Sequence, residues 1–231
     1  MGASIIIAAA GSASRMNGID KVMHRIGGRE VFMYSVKAFD NAKCTDKIVV
    51  VTSEDKIDTI KARLEKENLS VPFEVVLGSD TRQKSVINGL NACLESSNCI
   101  MIHDAARPMI TPELIDELYK RIIIEDNMAA ALGVKVKDTI KCVDNDEIIA
   151  STPERSALRI AQTPQGFEAN LYRLAISEAV KNGKDYTDDC QLVEAMGNRV
   201  YIVDSDYKNI KITTPEDLIL AEIYLKERED V

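Results

Sequence analysis

Tryptophan is absent from the 231 residues, aromatic residues make up 5% of them, and histidine occurs twice. A platform on which unpaired bases stack needs aromatic rings in number, so a single-strand nucleic-acid reader is disfavoured. Cations are in the minority too: 29 Lys and Arg stand against 37 Asp and Glu, a net charge of −8. General nucleic-acid binding rests on a net basic surface, so no nucleic-acid partner is expected. An anionic small molecule is a different matter, because a few local Lys and Arg residues suffice for it. The five cysteines, Cys44, Cys93, Cys99, Cys142 and Cys190, are odd in number and never spaced CxxC, and His24 and His103 lie far from any cluster. Disulfides and a zinc site are thus disfavoured, and buried free thiols in a reducing compartment are expected. The first apolar run, residues 5–10, is too short for a signal-peptide core or a membrane span, so a cytoplasmic chain without a membrane partner is expected. Neither GxGxxG nor a Walker A loop occurs, which argues against a dinucleotide-dependent dehydrogenase.

What is present is an alternation of short β-branched runs with longer helical patterns, the signature of a parallel sheet covered by helices. Strands are expected at 4–9, 47–52, Phe73–Leu77, 99–103, 128–136, 200–203 and 209–213. Helices are expected at 30–41, from Ser53 or Asp55 to about 68, at 82–96 behind Asp80 or Thr81, near 168–181 and 188–196, and from Pro215. Another starts with Thr111 as N-cap and Pro112 at the first helical position. Residues 139–143 and 147–152 flank Asp144-Asn145-Asp146 and read as an inserted hairpin, marginal alone and in need of support from elsewhere. No linker and no repeat interrupts this pattern. The fold class is α/β: one doubly wound domain over 1–231 with a mostly parallel sheet and a protruding β-hairpin arm at about 137–156.

In open α/β sheets ligands bind beyond the carboxyl ends of the strands. After the first strand comes AAAGSASRM (8–16), where Ala9, Ala10, Gly11 and Ser12 let backbone N–H groups approach a polyphosphate and Arg15 can reach its oxygens. A small-residue turn with a surface arginine is the plain alternative. Lys21 and Arg25 follow closely; they serve an anion or form a solvated basic patch. After the third strand, Ser79, Asp80, Arg82 and Ser85 form a loop that contacts a base or phosphate, although Asp80 is most simply a helix cap. Arg82 at a helix N-terminus opposes the macrodipole, so an anion or a carboxylate partner is expected beside it. After the fourth strand, Asp104 suits a ribose hydroxyl or a magnesium ion, or pairs with Arg107 to shape the turn. His103 reads as structural. AQTPQGF (161–167) and the stretch around Lys211 are polar where apolar residues are expected.

Taken in order, AAAGSASRM, HDAARP, AQTPQGF, YTDDC and NIKITTPEDL resemble the 2-C-methyl-D-erythritol 4-phosphate cytidylyltransferases of isoprenoid biosynthesis, over about residues 5–225. The ribitol-5-phosphate cytidylyltransferases are similar in several of these motifs. The resemblance implies a Rossmann-like nucleotidyltransferase that joins CTP to a polyol phosphate by in-line attack on the α-phosphorus and releases pyrophosphate. A phosphate monoester is already a nucleophile, so catalysis is left to positioning and charge stabilisation. By the match, Arg15 and Lys21 hold the triphosphate as catalytic residues. Arg155, Lys211, Thr139, Thr163 and Arg107 bind the polyol phosphate. Ala9, Ala10, Gly11, Ser12, Ser79, Asp80, Arg82, Ser85 and Asp104 bind the nucleotide, with Asp104 also a candidate for Mg²⁺. The resemblance further implies a homodimer in which the hairpin arm brings Arg155 to the partner's site. Around Lys21 the chain departs from the family, reading Asp20-Lys21-Val22-Met23 where Pro-Lys-Gln-Phe or Pro-Lys-Gln-Tyr is usual, and Ser12, Ala13 and Ser14 stand where another glycine is usual. A protein that binds CTP without catalysis is the reading those departures would favour.

Overall fold

The structure is a computed structural model in which residues 2–11, 16 and 18–229 are described. Strand β1 (Ala3–Ala8) carries Ile5, Ile6 and Ile7, all fully buried, as a strand covered on both faces requires. β4 (Thr45–Thr52) and β6 (Cys99–Asp104) flank it in parallel, pairing Ile6 with Val49 and with Ile102. β5 (Phe73–Leu77) extends the sheet beyond β4. On the other side, β10 (Arg159–Glu168) lies antiparallel between β6 and β7 (Ala129–Lys135), and β11 (Tyr201–Asp204) follows in parallel to β7. The order is therefore β11-β7-β10-β6-β1-β4-β5, the mostly parallel architecture expected.

The period of two along each strand divides the core. Ile5, Ile7, Ile48, Val50 and Met101 face α1 (Val31–Asn41), α2 (Ile57–Glu65) and α4 (Pro112–Tyr119). Ile6, Val49, Val51, Ile100 and Ile102 face α3 (Arg82–Asn91), α5 (Ala169–Lys181) and α6 (Asp189–Glu194). A smaller cluster packs α7 (Pro215–Glu229) against Met16, Ile26 and Ala106. No described helix is long and apolar enough to cross a membrane.

Several expectations need correction. Residues 209–213 form no strand; they run as a connection tied by the Ile212 N–H to the Ala106 carbonyl at 2.9 Å. α3 ends at Asn91 rather than 96, and the polar QTPQ stretch lies inside β10, at a register shift against β7 between Ala161 and Gln165. That bulge buries Gln162, Thr163 and Gln165, and Thr163–Pro164 is a cis peptide. A two-residue ribbon, β2 (Arg25–Ile26) with β3 (Arg29–Glu30), turns on Gly27 and Gly28 at φ +57° and +82°, a backbone that glycine adopts without cost. Cys44, Cys93, Cys99 and Cys190 are buried free thiols, but Cys142 is exposed on the arm. The arm itself is present: β8 (Cys142–Val143) pairs with β9 (Ile149–Ser151), and Val143, Ile148 and Ile149 are solvent-exposed along it.

Candidate active site

Ala8 and Asp104 are register partners at the carboxyl ends of β1 and β6. Strand order reverses here, because the chain passes from β1 to β4 and β5 on one side and returns to β6 on the other. A cleft of about 420 Å³ opens at this switch point, where an open α/β sheet binds its ligand.

Its first wall is the end of β1, with Ala10 and Gly11, followed by Lys21 and Val22. Ala9 sits just beneath, buried, its N–H bonded to the Val51 carbonyl at 2.7 Å. The expected residues Ser12 and Arg15 lie outside the described residues. The opposite wall is the β5–α3 junction, with Ser79, Asp80, Arg82 and Ser85. The two walls approach closely because residue 78 is glycine: a Cβ there would lie 2.7 Å from the Ala10 Cβ. The junction is braced from within. Thr81 caps α3 by accepting from the Lys84 N–H, and the Ser85 Oγ accepts from the Ser79 N–H at 2.8 Å while donating to the Thr81 carbonyl at 2.8 Å. Asp80 is exposed; its oxygens accept from Ser79 Oγ at 2.9 Å and Lys84 Nζ at 2.8 Å, which hold its carboxyl below the usual range.

The cleft floor is electrostatic. Asp104 Oδ2 lies 2.8 Å from Lys211 Nζ and 3.7 Å from Arg107 Nε. Burial opposes ionisation of Asp104, but Lys211, Arg82 and Arg107 more than offset it, so the carboxyl titrates below its ordinary value. Lys211, expected on a strand, reaches this position from the 209–213 connection. Arg107 is directed away from the cleft: its Nη1 donates to the Asn209 carbonyl at 2.8 Å, and its own carbonyl receives Ser35 Oγ and a ring nitrogen of His103. Thr163 is likewise behind the wall. Its Oγ1 donates to His103 Nδ1 at 3.1 Å and accepts from the Asp104 N–H at 3.0 Å, so it positions Asp104. His103, edge-on to Phe39 with ring centroids 5.1 Å apart, is structural, and burial lowers its pKa to about 4.

The carboxylate partner expected for Arg82 is Asp189, 1% exposed, at 2.5 Å. Burial disfavours the Arg82 charge, but Asp189 holds it firmly protonated. Asp189 also accepts from Tyr172 Oη at 2.6 Å, and its N–H donates to Gln165 Oε1 at 3.1 Å. Asp189 lies in the YTDDC motif, to which the sequence alone gives no role of its own; Tyr172 carries no sequence signal, and the arginine at a helix N-terminus points to a carboxylate without naming it. Thr139 and Arg155 are not part of this cleft within one chain. Both are exposed on the arm side, where Arg155 Nη1 donates to the Lys137 carbonyl at 2.9 Å.

Among the described residues no three His, Cys, Asp or Glu side chains gather as a metal cage. Asp104 and Asp80 are each paired with a lysine at 2.8 Å, so a Mg²⁺ here would bind mainly through substrate phosphates, with Asp104 as the carboxylate nearest the cleft floor.

The described lining contains no histidine or cysteine. Two lysines, Lys21 and Lys211, and two carboxylates, Asp80 and Asp104, thus face one another across the switch point of a doubly wound sheet, the arrangement of a nucleotide-binding α/β fold. A family model described as 2-C-methyl-D-erythritol 4-phosphate cytidylyltransferase matches residues 3–227. A relative of that name from Caldanaerobacter subterraneus is 45% identical over 98% of this chain and 100% of its own. One from Clostridium botulinum is 40% identical over 97% of each. The crystal structure of 4-diphosphocytidyl-2C-methyl-D-erythritol synthase from Anaerococcus prevotii matches with a TM-score of 0.84 at 34% identity, covering 97% of this chain and 98% of that one. The Thermus thermophilus 2-C-methyl-D-erythritol 4-phosphate cytidylyltransferase structure matches at 0.78 and 30%, covering 98% and 100%. The chain belongs to the 2-C-methyl-D-erythritol 4-phosphate cytidylyltransferase family and is a cytidylyltransferase.

Proposed function

We propose that the cleft at the β1/β6 switch point carries out the family's reaction: the phosphate of 2-C-methyl-D-erythritol 4-phosphate attacks the α-phosphorus of CTP. A bond forms from the monoester oxygen to that phosphorus, the bond to the bridging β-phosphate oxygen breaks, and pyrophosphate leaves with the electron pair. The observation that carries this reading is the meeting of Lys21, Lys211, Asp104 and the Ser79–Ser85 wall in one cleft. Ala10, Gly11 and Lys21 face the triphosphate, and Arg15, outside the described residues, is assigned the same role by the family resemblance. Cytosine lies against Ser79, Asp80 and Ser85, and the ribose against Asp104. Lys211, now paired with Asp104, exchanges that partner for the polyol phosphate. Arg107 and Thr163 hold this end of the cleft in shape.

Asp104 would share Mg²⁺ with the phosphates, and the ion would supply charge neutralisation as pyrophosphate departs. Catalysis by the chain itself is positioning and electrostatic.

The arm exposes Val143, Ile148 and Ile149, apolar surface that an isolated hairpin cannot bury. In a homodimer it would lean on a second copy and carry Thr139 and Arg155 to that copy's polyol phosphate. A cytoplasmic location agrees with four buried free thiols. The test is ³¹P NMR of CTP, Mg²⁺ and the polyol phosphate with enzyme: a new diphosphate diester and free pyrophosphate in equal amounts support the reading. Inorganic phosphate as the sole product would sink it.

A further inference from the structure

The turn that presents Lys21 is set by the Asp20 carboxylate. Asp20 Oδ1 accepts from the Val22 N–H at 3.0 Å and the Met23 N–H at 3.2 Å, and the Asp20 carbonyl accepts from the His24 N–H at 2.8 Å. The other oxygen, Oδ2, lies 2.8 Å from Lys56 Nζ, on the helical turn that follows β4. On the far side of Lys21, Val22 is 4% exposed, and its carbonyl accepts from the Phe32 N–H at 3.2 Å. The Lys21 backbone is thus clamped between an anchored carboxylate and a buried valine.

Charge adds a second constraint. An uncompensated carboxylate next to Lys21 would repel the triphosphate that Lys21 is to hold. Lys56 compensates it, and burial of Asp20 is outweighed by Lys56 and the two N–H donors, so the group stays ionised. We infer that Asp20 and Lys56 form a positioning device for Lys21, in which Asp20 sets the turn and Lys56 both anchors Asp20 and cancels its charge. This rests on the assignment of Lys21 to the triphosphate.

The device makes separable predictions, because each variant removes a different part of it. Asp20→Ala removes both the turn hydrogen bonds and the ion pair; kcat falls about ten- to a hundredfold, the scale expected for a catalytic group misplaced by about 1 Å, while the melting temperature drops only slightly and the protein stays folded at the assay temperature. Asp20→Asn keeps the Oδ1 acceptor and restores kcat to within about threefold of wild type. Lys56→Ala leaves the Asp20 charge uncompensated and raises KM for CTP more than it lowers kcat. In the Asp20→Asn background that same change does nothing further. The decisive measurement is pyrophosphate release by Asp20→Ala, Lys21→Ala and the double variant. If Asp20 acts through Lys21, the double variant is no slower than Lys21→Ala alone. Multiplying losses, or an Asp20→Ala enzyme within twofold of wild-type kcat while Lys21→Ala is inactive, would overturn the positioning role and spare the cleft assignment. A Lys21→Ala enzyme at wild-type turnover would instead refute the cleft assignment and this inference with it.

Discussion

Acidifying the protein from pH 7 to pH 5 should remove about 2 kcal/mol of folding stability through His103 alone. The ring is fully buried and edge-on to Phe39. Thr163 donates to Nδ1 and Nε2 donates to the Arg107 carbonyl, so the imidazole is held neutral. Burial lowers its pKa from 6.5 to about 4. A histidine with a depressed folded pKa binds its proton first in the unfolded chain. Its contribution is therefore complete above pH 6.5 and is lost as pH falls, levelling off near pH 4 when the folded state protonates as well. At about 1.36 kcal/mol per pH unit the full window amounts to roughly 3 kcal/mol, of which about 2 is gone by pH 5. Urea unfolding at pH 7, 6 and 5 reads this directly, with His103→Gln as the comparison. The variant should be less stable at pH 7 but show a shallower decline toward pH 5. Parallel declines in the two proteins would refute the buried, neutral ring.

Other perturbations probe the walls of the cleft. Asp189→Asn removes the buried carboxylate that pairs with the half-buried Arg82 and should cost about 1–3 kcal/mol, measured by urea unfolding at pH 7. Gly89→Ala places a Cβ 2.7 Å from Ile6 Cγ2 and 2.8 Å from Val51 Cγ2, so α3 must move off the sheet, at about 1–3 kcal/mol and with a weaker CTP site in calorimetry. Arg155→Ala should leave the KM for CTP unchanged and raise the KM for the polyol phosphate at least tenfold in steady-state assays.

The sheet was legible because Ile5, Ile6 and Ile7 and the runs at β4 and β6 are apolar on both faces and β5 carries a short β-branched run, and Thr111-Pro112 marked a helix start by cap chemistry. Asn209 to Thr213 was misread for a physical reason: its alternation of Ile210, Lys211 and Ile212 mimics a strand, while the buried Asn209 side chain ties it to the carbonyl of Thr163 and the side chain of Gln162. The length of β10 was hidden because QTPQ buries polar groups that satisfy one another across a bulge. Of the candidate site, Ala10, Gly11, Ser79, Asp80, Arg82, Ser85 and Asp104 were legible from their positions after strand ends, whereas the roles of Lys21 and Lys211 came from the family resemblance. The tertiary partners were not legible: Asp189 lies 107 positions from Arg82, and Lys56 answers Asp20 from another loop, separations that no local pattern reports.

The most direct test of the central claim is pyrophosphate release from CTP and Mg²⁺ with 2-C-methyl-D-erythritol 4-phosphate and ribitol 5-phosphate in parallel, for wild type and Lys21→Ala. The account predicts release by wild type with the methylerythritol substrate alone, and a loss of at least a hundredfold in the variant. Release with ribitol 5-phosphate alone, or full turnover by Lys21→Ala, would contradict it.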